Sequence, residues 1–398
     1  MSAPLKQHLI DPEICIRCYS CEMACTVQAI SHNDDNVVVD GAKCEFCMAC
    51  IPVCPTGSID EWRVVENHYG VDEQFGWLEL PIQQELTVND TAGETTLEAI
   101  DESIQALLEK AHEGAGGKAI APVSASKPTI NLFNLGNPAT ATIQGNFRLT
   151  DEDSDADVRH IILDLGQQKF PVLEGQSIGV IPPGLDENGK PHLPRLYSVS
   201  SPRDGERPNF NNLSLTIKRE KNGLCSNYIC DLEKGETVNI TGPFGSTFLL
   251  PNDPLAHVMM ICTGTGSAPF RGFTMRRQRE RPEAKNSLSL YFGARRPQDL
   301  PYFGPLKKMP QDFLKTVFAF SRMDEEKKQY VQDMIRTEKS SVAKLLQQPN
   351  AHIFICGLKE MESGVEEALS DVAREIGIEW KTLRDTMRDN GRYHIETY

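Results

Sequence analysis

The run CIRCYSCEMAC occupies residues 15–25, and the run CEFCMACIPVC occupies residues 44–54. In each run, two residues separate each of the first three cysteines from the next, and three residues separate the third from the fourth. Each cysteine of the first run has its counterpart 29 residues later, and Asp11 and Ile30 have theirs in Asp40 and Ile59. An offset shared by the cysteines and their flanking residues indicates a short internal duplication.

The spacing within these two runs is typical of iron–sulfur ligation. Three thiolates at this spacing can hold one face of a cube-shaped cluster, and the fourth reaches across to a second cluster. One predicted [4Fe-4S] cluster therefore has the ligands Cys15, Cys18, Cys21 and Cys54, and the other has Cys44, Cys47, Cys50 and Cys25. The alternative is a pair of four-cysteine zinc sites, in which a longer loop usually separates two cysteine pairs. Residues 1–62 are predicted to form a domain that is similar to the bacterial two-cluster ferredoxins.

The composition excludes several classes of protein. The chain has 398 residues with 41 Lys and Arg against 56 Asp and Glu, and its formal net charge is −15. So acidic a chain is poorly suited to binding nucleic acid. No apolar run approaches the roughly 20 residues that span a bilayer, and residues 1–10 lack the apolar core of a secretion signal. A chain of this length without such a signal is not expected to rely on disulfides. We expect a cytoplasmic protein with no nucleic-acid partner and no membrane partner.

Residues 63–137 are predicted to form an acidic, helix-containing segment and a linker. Residues 61–115 hold thirteen Asp and Glu against Arg63 and Lys110. Apolar residues recur at helical spacing over residues 94–113. Gly114 to Gly117 ends this helix, and a linker-like composition continues to Pro128. The pattern is compatible with a solvated face on a tether and with a surface for a partner or a second protomer.

Two different patterns follow the linker. Over residues 138–252, short alternating segments separated by turn residues predict an antiparallel β-barrel. These segments lie at residues 139–145, 159–165, 177–181, 197–200, 213–219 and 237–241. Over residues 253–398, buried strands alternate with helices, which predicts an open parallel α/β sheet. The predicted fold class is a multidomain α+β and α/β protein with a ferredoxin domain, a β-barrel domain and a parallel α/β domain.

Six motifs in this half of the chain carry a resemblance to a known family. They are RLYS at 195–198, GLCSN at 223–227, GPFG at 242–245, TGTGSAPFR at 263–271, CGL at 356–358 and ETY at 396–398. Their identity and order resemble the plant-type ferredoxin–NADP reductases over about residues 138–398. The resemblance implies a barrel domain that binds FAD and an α/β domain that binds NADPH.

The resemblance assigns FAD to eight residues: Arg195, Leu196, Tyr197, Ser198, Gly223, Leu224, Cys225 and Ser226. An arginine offers a charged fork to a pyrophosphate, and the first N–H groups of the helix-like run 226–232 point at the same group. Tyr197 provides a flat ring that can lie against one face of the flavin.

The resemblance assigns the pyridine nucleotide to residues at four places in the α/β half: Thr263, Gly264, Thr265, Gly266, Pro269 and Arg271; Ser321 and Arg322; Lys328 and Tyr330; Gly357 and Leu358. The family grips the 2′-phosphate with the residues at 321–330. An acidic residue there would favour NAD, whereas arginine and lysine favour a phosphate. NADPH is therefore the expected substrate, although a solvated helix charge is the alternative for Lys328.

Four residues are predicted to be catalytic. By resemblance, the ring of the terminal Tyr398 lies on the flavin and swings away for hydride transfer, while Ser198, Cys356 and Glu396 line the nicotinamide pocket. A buried cysteine at a strand end is common in its own right, which is the alternative for Cys356.

The two halves together predict an electron-transfer chain from NADPH to FAD, to the clusters and out to another protein. This order of parts resembles the reductase components of benzoyl-CoA epoxidase systems. That resemblance implies a separate di-iron oxygenase acting on benzoyl-CoA in aerobic benzoate degradation, and a homodimer. The same motifs would serve a different acceptor protein or the reverse flow, in which a low-potential donor reduces NADP+; the redox potentials decide between these directions.

Overall fold

A computed structural model describes residues 5–398 except residues 14, 48, 52, 57, 60, 66, 82–118, 186–190, 209 and 324–327. The helix expected over residues 94–113 and the glycines at 114–117 lie outside the described residues. Among the residues that are described, no helix combines the length and the apolar character that crossing a membrane would require.

The N-terminal domain is built from four short strands and two short helices. They are β1 (Leu5–Leu9), α1 (Ser20–Ala24), β2 (Ile30–His32), β3 (Val37–Val39), β4 (Glu61–Val65) and α2 (Val71–Phe75). β1 pairs antiparallel with β4, and β2 pairs antiparallel with β3. The repeated pair Ile30 and Ile59 is buried in one small core with Ile10, Val37, Val39 and Ile51. This core supports the cysteine loops, since Cys21 is part of it and five further cysteines pack against it: Cys15, Cys25, Cys44, Cys50 and Cys54.

The segment from residue 119 to residue 133 differs from the expected loose linker, because it is packed along the second half of the chain. Ser126 Oγ accepts hydrogen bonds from Arg203 over 2.6 Å and from Asn252 over 3.0 Å. Phe133 pairs with Gly242 and stacks on Phe170 with 5.3 Å between ring centroids. A composition rich in Pro and Ser therefore marks a bound strap here, because its backbone finds partners on the neighbouring domains.

The middle domain is a six-stranded antiparallel sheet with one helix. Its elements are β5 (Ala139–Arg148), β6 (Val158–Asp164), β7 (Ser177–Ile181), β8 (Arg195–Ser198), β9 (Asn212–Lys218), α3 (Leu224–Asp231) and β10 (Thr237–Phe244). The strand order is β8-β7-β10-β5-β6-β9. A bridge between Val199 and Leu215 joins the ends of the two outer strands. The sheet therefore curls towards closure, as the alternating pattern predicts.

The C-terminal domain is a five-stranded parallel sheet with helices on both faces. Its elements are β11 (His257–Thr263), α4 (Ser267–Glu280), β12 (Leu288–Ala294), α5 (Phe303–Lys308), β13 (Leu314–Phe320), α6 (Val331–Thr337), α7 (Lys339–Leu346), β14 (Ala351–Gly357), α8 (Glu360–Glu375), α9 (Trp380–Asp389) and β15 (Tyr393–Thr397). The strand order β13-β12-β11-β14-β15 changes direction between β11 and β14. Such a change of direction opens a crevice at the carboxyl ends of the strands.

The predicted fold class is confirmed, and most predicted elements begin and end within a few residues of the observed ones. The alternating pattern of this half predicts a helix over residues 324–337, and within the described residues that helix begins at Val331. The sequence pattern did not indicate α5, α7, α9 or β15. The amphipathic α9 contains few apolar residues, so its sequence does not stand out as a helix of the core. In β15, the polar residues His394 and Glu396 are buried because the strand lies within the sheet, and polar residues do not indicate a buried strand in the sequence.

Candidate cofactor cleft and cluster site

A cleft of about 1780 Å³ lies between the antiparallel sheet and the carboxyl edge of the parallel sheet. We call it the cofactor cleft. Most of the residues assigned to FAD or the nucleotide line it: Arg195, Leu196, Tyr197, Ser198, Gly223, Leu224, Cys225, Ser226, Thr263, Gly264, Thr265, Ser321, Tyr330, Leu358, Glu396 and Tyr398. The fold therefore gathers in one place segments that lie far apart in the sequence.

One wall of the cleft comes from β8 and the start of α3. Tyr197 packs against the barrel core beside Cys225, and burial raises the pKa of its hydroxyl well above the usual range. Burial likewise raises the pKa of Cys225 to about 11, and its Sγ lies 3.5 Å from the carbonyl oxygen of Val180. A thiol of this kind remains neutral and serves as packing. Arg195 stays exposed at the cleft, where its fork is available to a pyrophosphate.

The opposite wall is formed by loops that leave the parallel strands. Thr263 ends β11 and is followed by Gly264 and Thr265, while Ser321 follows β13 and Leu358 follows β14. Gly266 packs so tightly that an added Cβ would lie 2.2 Å from the carbonyl oxygen of Cys356. Gly357 has φ 135°, which side chains rarely adopt. These two glycines let the loops after β11 and β14 touch at the start of α4.

Three of the four predicted catalytic residues meet at the base of the cleft. Ser198 Oγ donates to Glu396 Oε1 over 2.9 Å, which joins the two domains directly. The Tyr398 hydroxyl and Thr265 Oγ1 are hydrogen-bonded over 2.9 Å, and the backbone N–H of Tyr398 donates to the Gly357 carbonyl over 3.0 Å. Tyr398 is 58 % exposed because the cleft opens in front of it. Its position therefore allows the ring to cover or uncover that part of the cleft.

Cys356, the fourth predicted catalytic residue, is fully buried at the end of β14. Burial raises the pKa of its thiol well above the usual range, and the nearby carboxyl of Glu396 adds to this. The side chain lies close to the terminal Tyr398. Its place at a strand end fits the common case of a buried cysteine, and its catalytic role stays a prediction.

Several other assigned residues do not line the cleft: Gly266, Pro269, Arg271, Arg322, Lys328 and Gly357, with Cys356 as described. The departure is clearest for Arg271, because both ends of its guanidinium are bonded to Glu206 of the middle domain. Conversely, Arg295 lines the cleft although the motif analysis did not select it. It follows β12 at the same edge as Thr263 and Ser321, so its place after a parallel strand was the signal that could have found it.

In the N-terminal domain, seven of the eight cysteines lie near cysteines that the spacing assigns to the same cluster. A small cavity is lined by Cys25, Cys44, Cys47 and Cys50, so the last cysteine of the first run meets the first three of the second run. On the other side, Cys54 and Cys15 lie close to the Cys21 thiol. These neighbours are the ones that the crossed arrangement requires, and the two four-cysteine ligand sets stay a prediction.

The electrostatics of these thiols fit a group that carries positive iron. Burial, reinforced by Cys54, raises the pKa of Cys21 to about 12, and burial, reinforced by Cys44, raises the pKa of Cys50 to about 12. Such thiols become ligands only when a cation compensates the negative charge. Among the described residues, no three His, Cys, Asp or Glu side chains are gathered in an arrangement for holding a metal ion.

Comparisons with known proteins match three families to different parts of the chain. Residues 7–65 match the family described as 4Fe-4S dicluster domain, residues 150–248 the oxidoreductase FAD-binding domain, and residues 260–367 the oxidoreductase NAD-binding domain. A ferredoxin–NADP reductase of Spirulina sp. is 37% identical over 288 residues, which cover 68% of this chain and 98% of the relative.

The chain belongs to the ferredoxin–NADP reductase family. The leaf isozyme 1 of the chloroplast ferredoxin–NADP reductase of Arabidopsis thaliana is 34% identical over 287 residues, covering 68% of this chain and 79% of that protein. The solved ferredoxin–NADP+ reductase of Plasmodium falciparum is 27% identical with a TM-score of 0.53, covering 68% of this chain and 99% of that one. The protein is thus an NADP-dependent FAD oxidoreductase that carries a 4Fe-4S ferredoxin domain in the same chain.

Proposed function

We propose that this reductase takes electrons from NADPH and passes them through FAD and two [4Fe-4S] clusters to a separate protein. The proposed acceptor is a di-iron oxygenase that acts on benzoyl-CoA in aerobic benzoate degradation. The observation that carries the proposal is the presence of a ferredoxin domain and a ferredoxin–NADP reductase module in one chain. The reductase therefore holds its own ferredoxin-type acceptor, which raises the local concentration of that acceptor.

The proposed roles of the residues follow from their places. Arg195 and the start of α3 hold the FAD pyrophosphate, and Tyr197 lies along the flavin. The loops at 263–265 and 321 and the side chain of Tyr330 hold NADPH, with Lys328 beside Tyr330 at the edge of the cleft and the remaining assigned residues shaping these loops. When bound, FAD accepts electrons in pairs and releases them singly, and each cluster takes one electron at a time. The ligands proposed for the two clusters are those that the duplicated runs assign.

At the base of the cleft, Ser198 and Glu396 form a hydrogen-bonded pair that orients whatever enters between the domains. We propose that Tyr398 occupies the nicotinamide position until NADPH displaces it, since its ring borders the open cleft and its hydroxyl is held by Thr265. Cys356 would then form the back of the nicotinamide pocket. The proposed domains are residues 1–62 for the clusters, 63–137 for the acidic segment and strap, 138–252 for FAD and 253–398 for NADP.

The first test is an anaerobic titration of the holoprotein with NADPH, followed by flavin absorbance and low-temperature electron paramagnetic resonance. We expect the flavin to bleach and signals of reduced clusters to appear. A Cys21→Ser variant is the matched control, because it should keep the flavin response and lose the cluster signal of its own site. Bleaching of the flavin without cluster reduction would contradict outward flow and favour reduction of NADP+ by a low-potential donor.

The second test concerns the acceptor. The epoxide should form when the protein is mixed with the purified di-iron oxygenase component, NADPH, oxygen and benzoyl-CoA. No epoxide should form when an equal amount of a one-cluster variant replaces the protein. Failure of the complete system while the titration succeeds would leave an NADPH reductase for another acceptor and would overturn this partner. Mass measurement in solution tests the homodimer that the resemblance implies.

A further inference from the structure

Arg271, on α4 of the NADP domain, makes a bidentate contact with the FAD domain. Its Nη1 donates to Glu206 Oε2 over 2.9 Å, and its Nη2 donates to Glu206 Oε1 over 2.5 Å. Nη1 also donates to the backbone carbonyl of Ser200 over 2.9 Å. Parallel contacts of this kind fix the angle of the guanidinium as well as its distance from the carboxylate. The arginine is therefore held by the FAD domain on two sides.

The surroundings keep this pair ionised and in place. Ser214 Oγ also donates to Glu206 over 2.9 Å, and the guanidinium of Arg271 lies 5.0 Å from the centre of the Tyr302 ring. Burial alone would raise the pKa of Glu206, but hydrogen bonds from His160 and Arg271 bring it well below the usual range. The carboxylate is consequently held in its charged form.

The backbone of α4 also approaches the FAD domain closely at this point. A Cβ added to Gly272 would lie 3.1 Å from the carbonyl oxygen of Ser201. The residue after Arg271 thus has to be small, because the helix rests directly on residues 200–201. The arginine and the glycine together define how near α4 stands to that stretch of chain.

That stretch is the direct continuation of β8, which ends at Ser198. Ser198 makes the hydrogen bond to Glu396 of the NADP domain, only two residues before the carbonyl that Arg271 binds. At its N-terminal end, about one turn before Arg271, α4 follows the loop in which Thr265 binds the Tyr398 hydroxyl. One helix therefore connects the position of Ser198 to the loop that faces the nucleotide.

We propose that Arg271 is a positioning residue: its clamp on Glu206 and Ser200 sets the Ser198–Glu396 distance and with it the width of the cleft. The arginine acts through the FAD domain and does not contact the pyridine nucleotide. The inference rests on the proposed use of the cleft for NADPH and FAD. It replaces the assignment of Arg271 to the nucleotide with a role that its observed contacts support.

The test compares Arg271→Lys with Arg279→Lys. Lysine keeps the charge at 271 but loses the planar fork. Arg279 is the matched control, because it lies on the same helix and bonds the same loop at Asp204 Oδ1 over 2.6 Å and at the Glu206 carbonyl over 2.8 Å, away from Ser200. Thermal unfolding, the Kd of adenosine 2′,5′-bisphosphate and the rate of flavin bleaching by NADPH are measured for each protein.

We expect Arg271→Lys to slow flavin bleaching on the order of tenfold, since small misplacements of reacting groups are costly. Its Kd for adenosine 2′,5′-bisphosphate should equal that of the wild type, and Arg279→Lys should keep the wild-type rate. In a double-variant cycle, Arg271→Lys should add little to the slowing caused by Glu396→Gln, because both act through Ser198. This non-additivity is a readout that a merely stabilising contact would not change.

Weaker binding of the bisphosphate to Arg271→Lys would mean that the arginine contacts the nucleotide, and it would overturn the proposal. Equal slowing by Arg279→Lys, or multiplicative effects in the cycle, would also overturn it by pointing to general loosening of the interface. If Arg271→Lys does not fold, Glu206→Gln removes the same clamp from the other side and is judged by the same readouts. A wild-type protein that NADPH does not bleach would instead contradict the proposed function itself.

Discussion

The ferredoxin domain and the reductase module build their sites in opposite ways. In the ferredoxin domain, every proposed ligand lies within residues 15–54, and a small core of repeated residues supports the loops. In the reductase module, the Ser198–Glu396 contact joins residues that are 198 positions apart. A site made from a local motif depends on thiol chemistry and spacing, whereas a distributed site depends on buried contacts between elements. Different substitutions should therefore disrupt the two sites: loss of a thiolate in the ferredoxin domain and loss of a buried contact in the reductase module.

The largest effect is expected from the ferredoxin side. Cys21→Ser or Cys50→Ser should remove one cluster almost completely, because a serine oxygen replaces a thiolate in a four-ligand set. Iron and acid-labile sulfide per chain measure the loss, and the flavin content should be unchanged. Cys230→Ala is the control, since this buried cysteine belongs to the FAD domain. Equal loss of iron from the control would contradict the conclusion that the iron is held only by the cysteines of the ferredoxin domain.

The next effect concerns the contacts on which the distributed site depends. Arg203 Nη2 lies 2.8 Å from Glu174 Oε2, and the two side chains are 2% and 0% exposed. Burial alone would raise the pKa of Glu174, but Arg203 and Arg276 lower it, so it is buried as an anion. Glu174→Gln should lower the free energy of unfolding by about 3–5 kcal/mol, because it leaves a buried cation without its counter-charge.

Urea unfolding, monitored by flavin fluorescence, measures this change. The iron content should fall only at urea concentrations above those that release the flavin. The exposed pair Lys285–Asp312 provides the control, and Asp312→Asn should leave the midpoint nearly unchanged. A Glu174→Gln protein as stable as the wild type would show that this pair does not hold the module together. In that case, contacts other than the hydrogen bond between Ser126 and Arg203 would have to hold the strap in place.

Acid sensitivity sharpens the comparison further. Burial, together with Arg392 and Arg277, lowers the pKa of His352 on β14 from 6.5 to about 4. As the pH falls below 6.5, His352 becomes protonated in the unfolded chain, whereas in the folded chain it stays neutral until about pH 4. The stability that the neutral side chain contributes is therefore complete above pH 6.5 and lost as the pH falls towards 4, by about 3 kcal/mol in all.

His352→Gln should flatten the dependence of unfolding free energy on pH across this window. His257→Gln serves as the control, since His257 is only partly buried at the start of the adjacent strand β11. Identical pH profiles for the wild type and His352→Gln would assign the acid sensitivity of the module to other groups. Iron loss should show a different dependence on pH, because the thiols proposed to hold the iron belong to the N-terminal domain.

The smallest effect is expected at Arg295, which lines the cleft after β12. Arg295→Ala should weaken NADPH binding about tenfold, equal to about 1.4 kcal/mol, because a charged donor to a phosphate is lost. The KM for NADPH should rise while the limiting rate stays constant. Arg296→Ala is the control, as the neighbouring side chain does not line the cleft. A fall in the limiting rate without a change in KM would place Arg295 nearer to the reacting atoms than its position suggests.

Much of the fold could be predicted because it repeats simple patterns. The strand at Ser177–Ile181 and the start of β11 at His257 coincide with the alternating and buried runs of the sequence. By contrast, α9 and β15 escaped prediction, since their polar residues are accommodated by neighbours that only the folded chain supplies. The composition of residues 114–128 predicts a tether, because Pro and Ser are as common in bound extended segments as in loose ones. In the structure, the described residues from 119 onwards form a strap packed on the second half of the chain.

The cysteine runs alone determined the chemistry of the N-terminal domain, because ligand type and spacing are local properties of the chain. The motifs also determined that the second half takes a flavin and a pyridine nucleotide. Only the tertiary structure decided that Arg271 binds Glu206, that Arg295 reaches the cleft and that Cys356 lies buried close to Tyr398. Contacts between distant segments depend on where strands end and helices dock, and a linear pattern of residues does not contain that information.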